Sequence, residues 1–212
     1  AIVGALLEAG ATCHVPLHRE SERDVFAHRA HARVTFGGPL QLEDAAAVAR
    51  YYAALPPLWG SIHIAGGFAA GPLAEADDAT LRRQIDMNLM TCLFCCRGAV
   101  RAMGADGGRI VNVAARPALE WRAGAGMAAY AASKAAVAAL TAALAEEVAR
   151  QGILVNAVAP SIMDTPANRK AMPKADFTAW PKVEEVARTI LFLASPENAV
   201  TRGAIVPVYG RS

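Results

Sequence analysis

A doubly wound α/β fold, with helices covering both faces of a parallel sheet, is the architecture this sequence predicts. Short apolar runs alternate with longer stretches of helical period, and turn residues bound nearly every run. The 212 residues are enough for one well-filled core, and no linker, charge run or low-complexity tract divides them. A single domain over 1–212 is therefore expected. Strand–helix alternation builds βαβ units, whose ligands lie beyond the carboxyl ends of the strands. That rule marks 17–19, 39–41, 65–68, 114–122 and 160–165 as places for functional residues.

The elements follow in order. "AIVGALLEAGA" starts in the middle of an amphipathic helix, uncapped, with a Gly stop after it. Its form leads us to expect a preceding strand and turn that the given chain does not record. "ATCHVPL" (11–17) reads as a strand, 20–32 as a polar helix, and "ARVTFGG" (32–38) as the next strand. "LEDAAAVARYYAAL" is a helix, "GSIHIAGG" (60–67) a short strand ending in glycines, and 78–103 a long helix stopped by "GADGG". "RIVNVAA" (109–115) is a strand. The helix that begins "MAAYAASKAAV" closes at Gly152. "ILVNAVAP" (153–160), a helix at 182–194 and "AIVPVYG" (204–210) complete the pattern.

Composition excludes several classes. Twenty-one basic and 19 acidic residues give a net charge of +2, and no basic residues cluster with aromatics, against a nucleic-acid surface. No window is read as reaching the ~18 apolar residues of a membrane span, so no membrane partner is expected, and no signal peptide is evident. Cys92, Cys95 and Cys96 fall at i, i+3 and i+4 of an apolar helical run, while Cys13 stands apart. Zinc would want a second ligand pair closing a loop, so buried thiols are the reading and no metal site is assigned. Unpaired cysteines suit a reducing cytoplasm.

Tyr130 and Lys134, at i and i+4, share one helix face. A phenol has a reference pKa of about 10, and an ammonium beside it favours the phenolate. Such a pair can do acid/base work, although spacing alone also fits an ordinary amphipathic helix.

"YAASK", "MNLMTC", "RIVNVAA" and "VNAVAPSIMDT" stand in register with the motifs of the short-chain dehydrogenase/reductases, and the sequence resembles that family over essentially its whole length. The resemblance implies a Rossmann-type sheet, a cytosolic NAD(P)H-dependent oxidoreductase acting on a small molecule, and a homodimer or homotetramer joined through the 86–103 and 127–151 helices. It implies Tyr130 as proton donor, Lys134 as the ribose-holding partner that lowers the Tyr pKa, and Asn88 as the anchor of a proton relay. Leu17, His18, Arg19, Ala65, Gly66, Pro160, Ile162 and Thr165 fall at cofactor-contacting positions. After the second strand of the family pattern the chain reads Pro16-Leu17-His18-Arg19, with no carboxylate for a ribose diol. His18 and Arg19 tilt the reading toward NADP over NAD, or Arg19 simply starts a solvated helix. Phe68, Ala115, Trp121, Arg122, Met172 and Trp180 are candidates for the substrate pocket, with Trp180 equally a hydrophobic lock for its loop.

Two family features are missing. The Gly-rich phosphate turn is not in the given chain. Ala114 and Ala115 replace the segment that carries the active-site serine. Losing such a donor costs carbonyl chemistry ~10²–10³ in rate. The short loop "DTPANRKAMPKADFTAWPKVEEV" and the turn "IAGGF" resemble the dihydropteridine reductase branch, which also lacks the serine. A conjugated C=N or C=O substrate, a dihydropterin among them, fits that absence. A weakened relative kept as a binding or oligomer scaffold, or a general ketone or 3-oxoacyl reductase, remains open.

Overall fold

The computed structural model describes residues 1–212, and every strand pair in it is parallel. Helix α1 (Ile2–Glu8) leads into β1 (Cys13–Leu17), the short α2 (Glu22–Val25), β2 (Val34–Pro39) and α3 (Ala45–Ala53). The Asp44 side chain caps α3, accepting from the backbone N–H groups of Ala46 and Ala47 at 2.9 and 3.0 Å. Then come β3 (Gly60–His63), α4 (Asp78–Ile85), α5 (Thr91–Ala102), β4 (Gly108–Val113) and α6 (Ala128–Glu147). Strand β5 (Ile153–Pro160), α7 (Pro166–Ala171), α8 (Val183–Ala194) and β6 (Ile205–Val208) finish the chain.

The pairing divides into two sheets. β1 pairs with β2, and β3-β4-β5-β6 pair in sequence order. Helices cover both faces, as expected. Strand alternation sends successive side chains to opposite sides. Ile110 of β4 and Val155, Ala157 and Ala159 of β5 face a core shared with α3, α5 and α6. Val111 and Val158, on the other side, meet Val186, Ile190 and Leu193 of α8, with Ile2 of α1 against them. The central strands are therefore buried on both faces, which fixes their carboxyl ends in space.

Four expectations need correction. The polar helix over 20–32 shrinks to four residues, because the chain turns extended at Phe26 and packs that ring edge-on against Phe36 of β2, centroids 5.3 Å apart. The long helix over 78–103 contains a π-helical turn at Asp86–Met90 between α4 and α5. The loop before α8 holds the unforeseen α7, whose start is set by Thr165 as cap and Pro166 at its first turn. Finally, α6 is by length and composition apolar enough to cross a membrane. It lies instead across the sheet against β5, and its buried face includes Ser133, Lys134 and Thr141.

Candidate active site

Near the carboxyl end of β4, the first turns of α6 bring Tyr130 and Lys134 to the sheet. Lys134 is only 6% exposed, and its Nζ donates to the Val113 backbone oxygen at 2.8 Å. That is the one hydrogen bond the ammonium makes, although it carries three donors. Burial lowers its pKa to about 8, partly offset by Cys92 nearby. Tyr130 is half-buried with its ring edge-on to Phe68, centroids 5.0 Å apart at 83°. Burial raises its pKa above the ordinary phenol value. The expected lowering by Lys134 is thus not found: desolvation by burial sets the direction of the shift.

Asn88 stands in the π-helical turn, 1% exposed. Its Nδ2 donates to the Gly67 oxygen at 3.0 Å and to Ser133 Oγ at 3.1 Å, while its Oδ1 accepts from the Gly67 N–H at 3.0 Å. Ser133 in turn donates to the Tyr130 carbonyl oxygen at 2.7 Å. The amide is therefore engaged in pinning the β3 loop and the start of α6 together. Ser133 was missed at the sequence level, although its place one residue before Lys134 was the available signal. Gly66 must be small: a Cβ there would lie 2.6 Å from Asn88 Oδ1 and 3.3 Å from Lys134 Nζ. The π-helical turn itself is a frequent mark of function.

The remaining cofactor-side residues occupy the ends of β1, β3 and β5. Leu17 is buried, while His18 and Arg19 are exposed. The expectation of no carboxylate at this turn is corrected. Glu22 folds back from α2 so that its Oε2 accepts from the His18 N–H at 2.9 Å. A sequence window ending at Arg19 stopped one helical turn short of it. Ala65 is exposed beside Gly66, Pro160 is buried at the end of β5, and Ile162 is 43% exposed. Thr165 spends its hydroxyl on the Asn168 N–H at 3.2 Å.

On the substrate side, Ala114 and Ala115 are both buried at the end of β4. Phe68 lies over Tyr130, and Trp121, 76% exposed, joins Arg122 in a cleft of about 380 Å³ with Leu119, Glu120 and Ala123. Another cleft, of about 300 Å³, runs from Ala69 to Asp77 against Met127, Ala128 and Ala129. Met172 is half-buried after α7. Trp180 is buried against Phe177, with ring centroids 5.0 Å apart, an arrangement that suits a lock for its loop. Arg169 strengthens that loop, pairing with both Asp164 oxygens at 2.6 and 2.8 Å and lying over the Phe177 ring.

A family model described as enoyl-(acyl carrier protein) reductase matches residues 1–210. The chain is 35% identical over 167 residues to a 3beta-hydroxysteroid dehydrogenase of Mediterraneibacter gnavus, covering 65% of this chain and 60% of that one. It is 36% identical over 173 residues to a 2,3-dihydroxy-2,3-dihydro-p-cumate dehydrogenase of Pseudomonas putida, covering 73% and 65%. The chain thus spans less than two thirds of the length of these relatives. Among solved structures, a blue fluorescent protein from a metagenomic library, in complex with NADPH, is 29% identical with a TM-score of 0.88, covering 99% of this chain and 90% of that one. A Serratia marcescens short-chain dehydrogenase/reductase is 27% identical with a TM-score of 0.87, covering 99% and 91%.

Proposed function

Because this chain belongs to the short-chain dehydrogenase/reductase family, we propose that it is an NAD(P)H-dependent oxidoreductase that reduces a small conjugated C=N or C=O substrate, with Tyr130 as proton donor. The observation that carries this reading is the environment of Tyr130. A phenol whose pKa burial has raised starts protonated but is a weaker acid, so it can give its proton only with the Lys134 charge to favour the phenolate.

The residues present fit a nicotinamide dinucleotide. Lys134 is a buried ammonium with a single hydrogen bond, and burying a charge with so few partners is costly. Ribose hydroxyls would satisfy its remaining donors. Gly66 leaves its approach clear of a side chain. When bound, the nicotinamide supplies the hydride that the substrate receives. Lys134 would hold the ribose, and its charge would favour the phenolate left once Tyr130 gives its proton. Asn88 and Ser133 keep the β3 loop and the Tyr130 turn in register. His18 and Arg19 support NADP as the preferred form, while the Glu22 carboxylate at the same turn supports the ribose diol of NAD instead. We treat residues 1–212 as one dinucleotide-binding unit and place it in the cytoplasm, in keeping with its four free cysteines.

Ala114 and Ala115 narrow the substrate. With no hydroxyl there to receive an alkoxide, a conjugated acceptor such as a dihydropterin, which spreads its charge, is favoured over a simple ketone. A second reading, oxidation and reduction of a CH–OH/C=O pair, is favoured by the relatives' names, dehydrogenases of a hydroxysteroid and of a dihydrodiol.

Steady-state assays on Tyr130→Phe and Ala115→Ser test both readings. The Phe variant is expected to lose about 10²-fold or more in kcat with its circular dichroism unchanged; undiminished turnover sinks the assignment. Ala115→Ser is expected to speed ketone reduction about tenfold or more and leave C=N reduction unchanged. Efficient ketone turnover by the unaltered protein, with no gain in the Ser variant, favours the second reading.

A further inference from the structure

Beneath Lys134, three soft donors converge where the catalytic reading has no use for them. His63 closes β3, and Cys92 and Cys96 sit one turn apart on the inward face of α5, both buried. Their ligating atoms all lie within 4.8 Å of one another, with Cys96 Sγ 3.6 Å from His63 Nδ1. Tetrahedral zinc, with Zn–S of about 2.3 Å and Zn–N of about 2.0 Å, sets its ligand atoms roughly 3.5–3.8 Å apart. We propose that His63, Cys92 and Cys96 form a binding site for a thiophilic divalent cation, zinc in the first instance.

The neighbours of His63 are what a metal-binding imidazole needs. Its Nε2 lies 2.8 Å from Ser61 Oγ and 3.3 Å from Tyr52 OH, which orients the ring and leaves Nδ1 facing the thiols. Its Nδ1 donates to Asn112 Oδ1 at 2.8 Å, a proton the metal would displace, and the Asn112 Nδ2 donates to Thr141 Oγ1 at 2.9 Å. That second bond aims the Asn112 oxygen into the cluster, 3.5 Å from Cys96 Sγ, as the neutral fourth donor. Binding releases two thiol protons to solvent and shifts the His63 ring proton from Nδ1, where Asn112 Oδ1 accepts it, to Nε2, where Ser61 Oγ accepts it. Two thiolates and Zn²⁺ then sum to zero, so the buried site carries no net charge beside the Lys134 ammonium. The site ties α5 to β3 and β4, whether or not the chain is an oxidoreductase. A search for paired ligands along the sequence misses it, because the third ligand stands 29 residues before Cys92 and meets it only through the fold.

The test is a titration of the reduced, full-length protein with Co²⁺, then Zn²⁺, followed by X-ray absorption of the zinc-loaded form. Saturation at one equivalent with thiolate-to-cobalt charge-transfer absorption is expected, abolished by added zinc. Cys95→Ser and Cys13→Ser should retain the band, and Cys92→Ser and Cys96→Ser should lose it. Two sulfurs at about 2.3 Å and a nitrogen at about 2.0 Å around zinc are expected in the unaltered protein; this measurement decides the matter if a serine variant fails to fold. Absence of saturable binding, a zinc shell without sulfur, or an unchanged band in both the Cys92 and Cys96 variants overturns the proposal.

Discussion

Lys134 holds the least comfortable position in the chain. Its folded pKa of about 8, against 10.5 unperturbed, corresponds to a cost of about 3 kcal/mol for keeping the charge buried at pH 7. The sign follows from the depressed pKa. Its contribution to stability is complete above about 10.5 and is lost as pH falls through about 8. Lys134→Met should therefore stabilise the ligand-free protein at pH 7 by about 1–2 kcal/mol, once the lost hydrogen bond to Val113 is subtracted. Comparing urea melts of the two proteins from pH 7 to 10 isolates this residue, since the other titrating groups cancel. The gap should close as pH rises, and a variant less stable at pH 7 would refute the desolvation argument. The same substitution should abolish nucleotide binding, because the site is made receptive by the discomfort that the mutation removes.

At the scale of elements, the turns that feed β4 and β5 are built against each other. Gly107 and Gly152 both have positive φ, 76° and 72°, and Gly108 N–H donates to the Gly152 oxygen at 3.3 Å. A Cβ on Gly107 would run into the Gly152 carbonyl, whereas one on Gly152 meets nothing nearer than 3.5 Å. Gly152→Ala then carries only the left-handed backbone penalty, about 1 kcal/mol. Gly107→Ala carries that penalty plus a backbone collision and should cost about 3 kcal/mol or more. Equal losses of thermal stability in the two variants would contradict this packing. Because β4 ends at Val113, just before Ala114, and β5 at Pro160, a shift in either turn should also raise KM for the nucleotide.

For the whole molecule, the exposed alanines Ala132, Ala139 and Ala143 share one side of α6. We propose this side as the surface through which copies of the chain would pair, since it leaves apolar helix surface to water. Ala139→Arg is expected to reduce the assembly to a 22.1 kDa monomer in sedimentation analysis. If the unaltered chain already sediments as a monomer, the assignment fails.

Strand–helix order, the parallel sheet and the ends of its strands were legible in the sequence, because buried strands and helices impose different apolar periods on it. Tyr130, Lys134 and Asn88 were legible as candidates by their spacing and the motifs around them. The sequence did not carry what depends on three-dimensional neighbours. Burial raised the Tyr130 pKa that was expected to fall, Asn88 went to Gly67 and Ser133, and Glu22 brought a carboxylate to a turn expected to have none. Trp180 turned inward, and His63 met two cysteines from a helix far along the chain. Periodicity is a local property that each residue shares with its sequence neighbours. Desolvation and hydrogen bonding depend on which distant atoms arrive, and only the folded chain decides that.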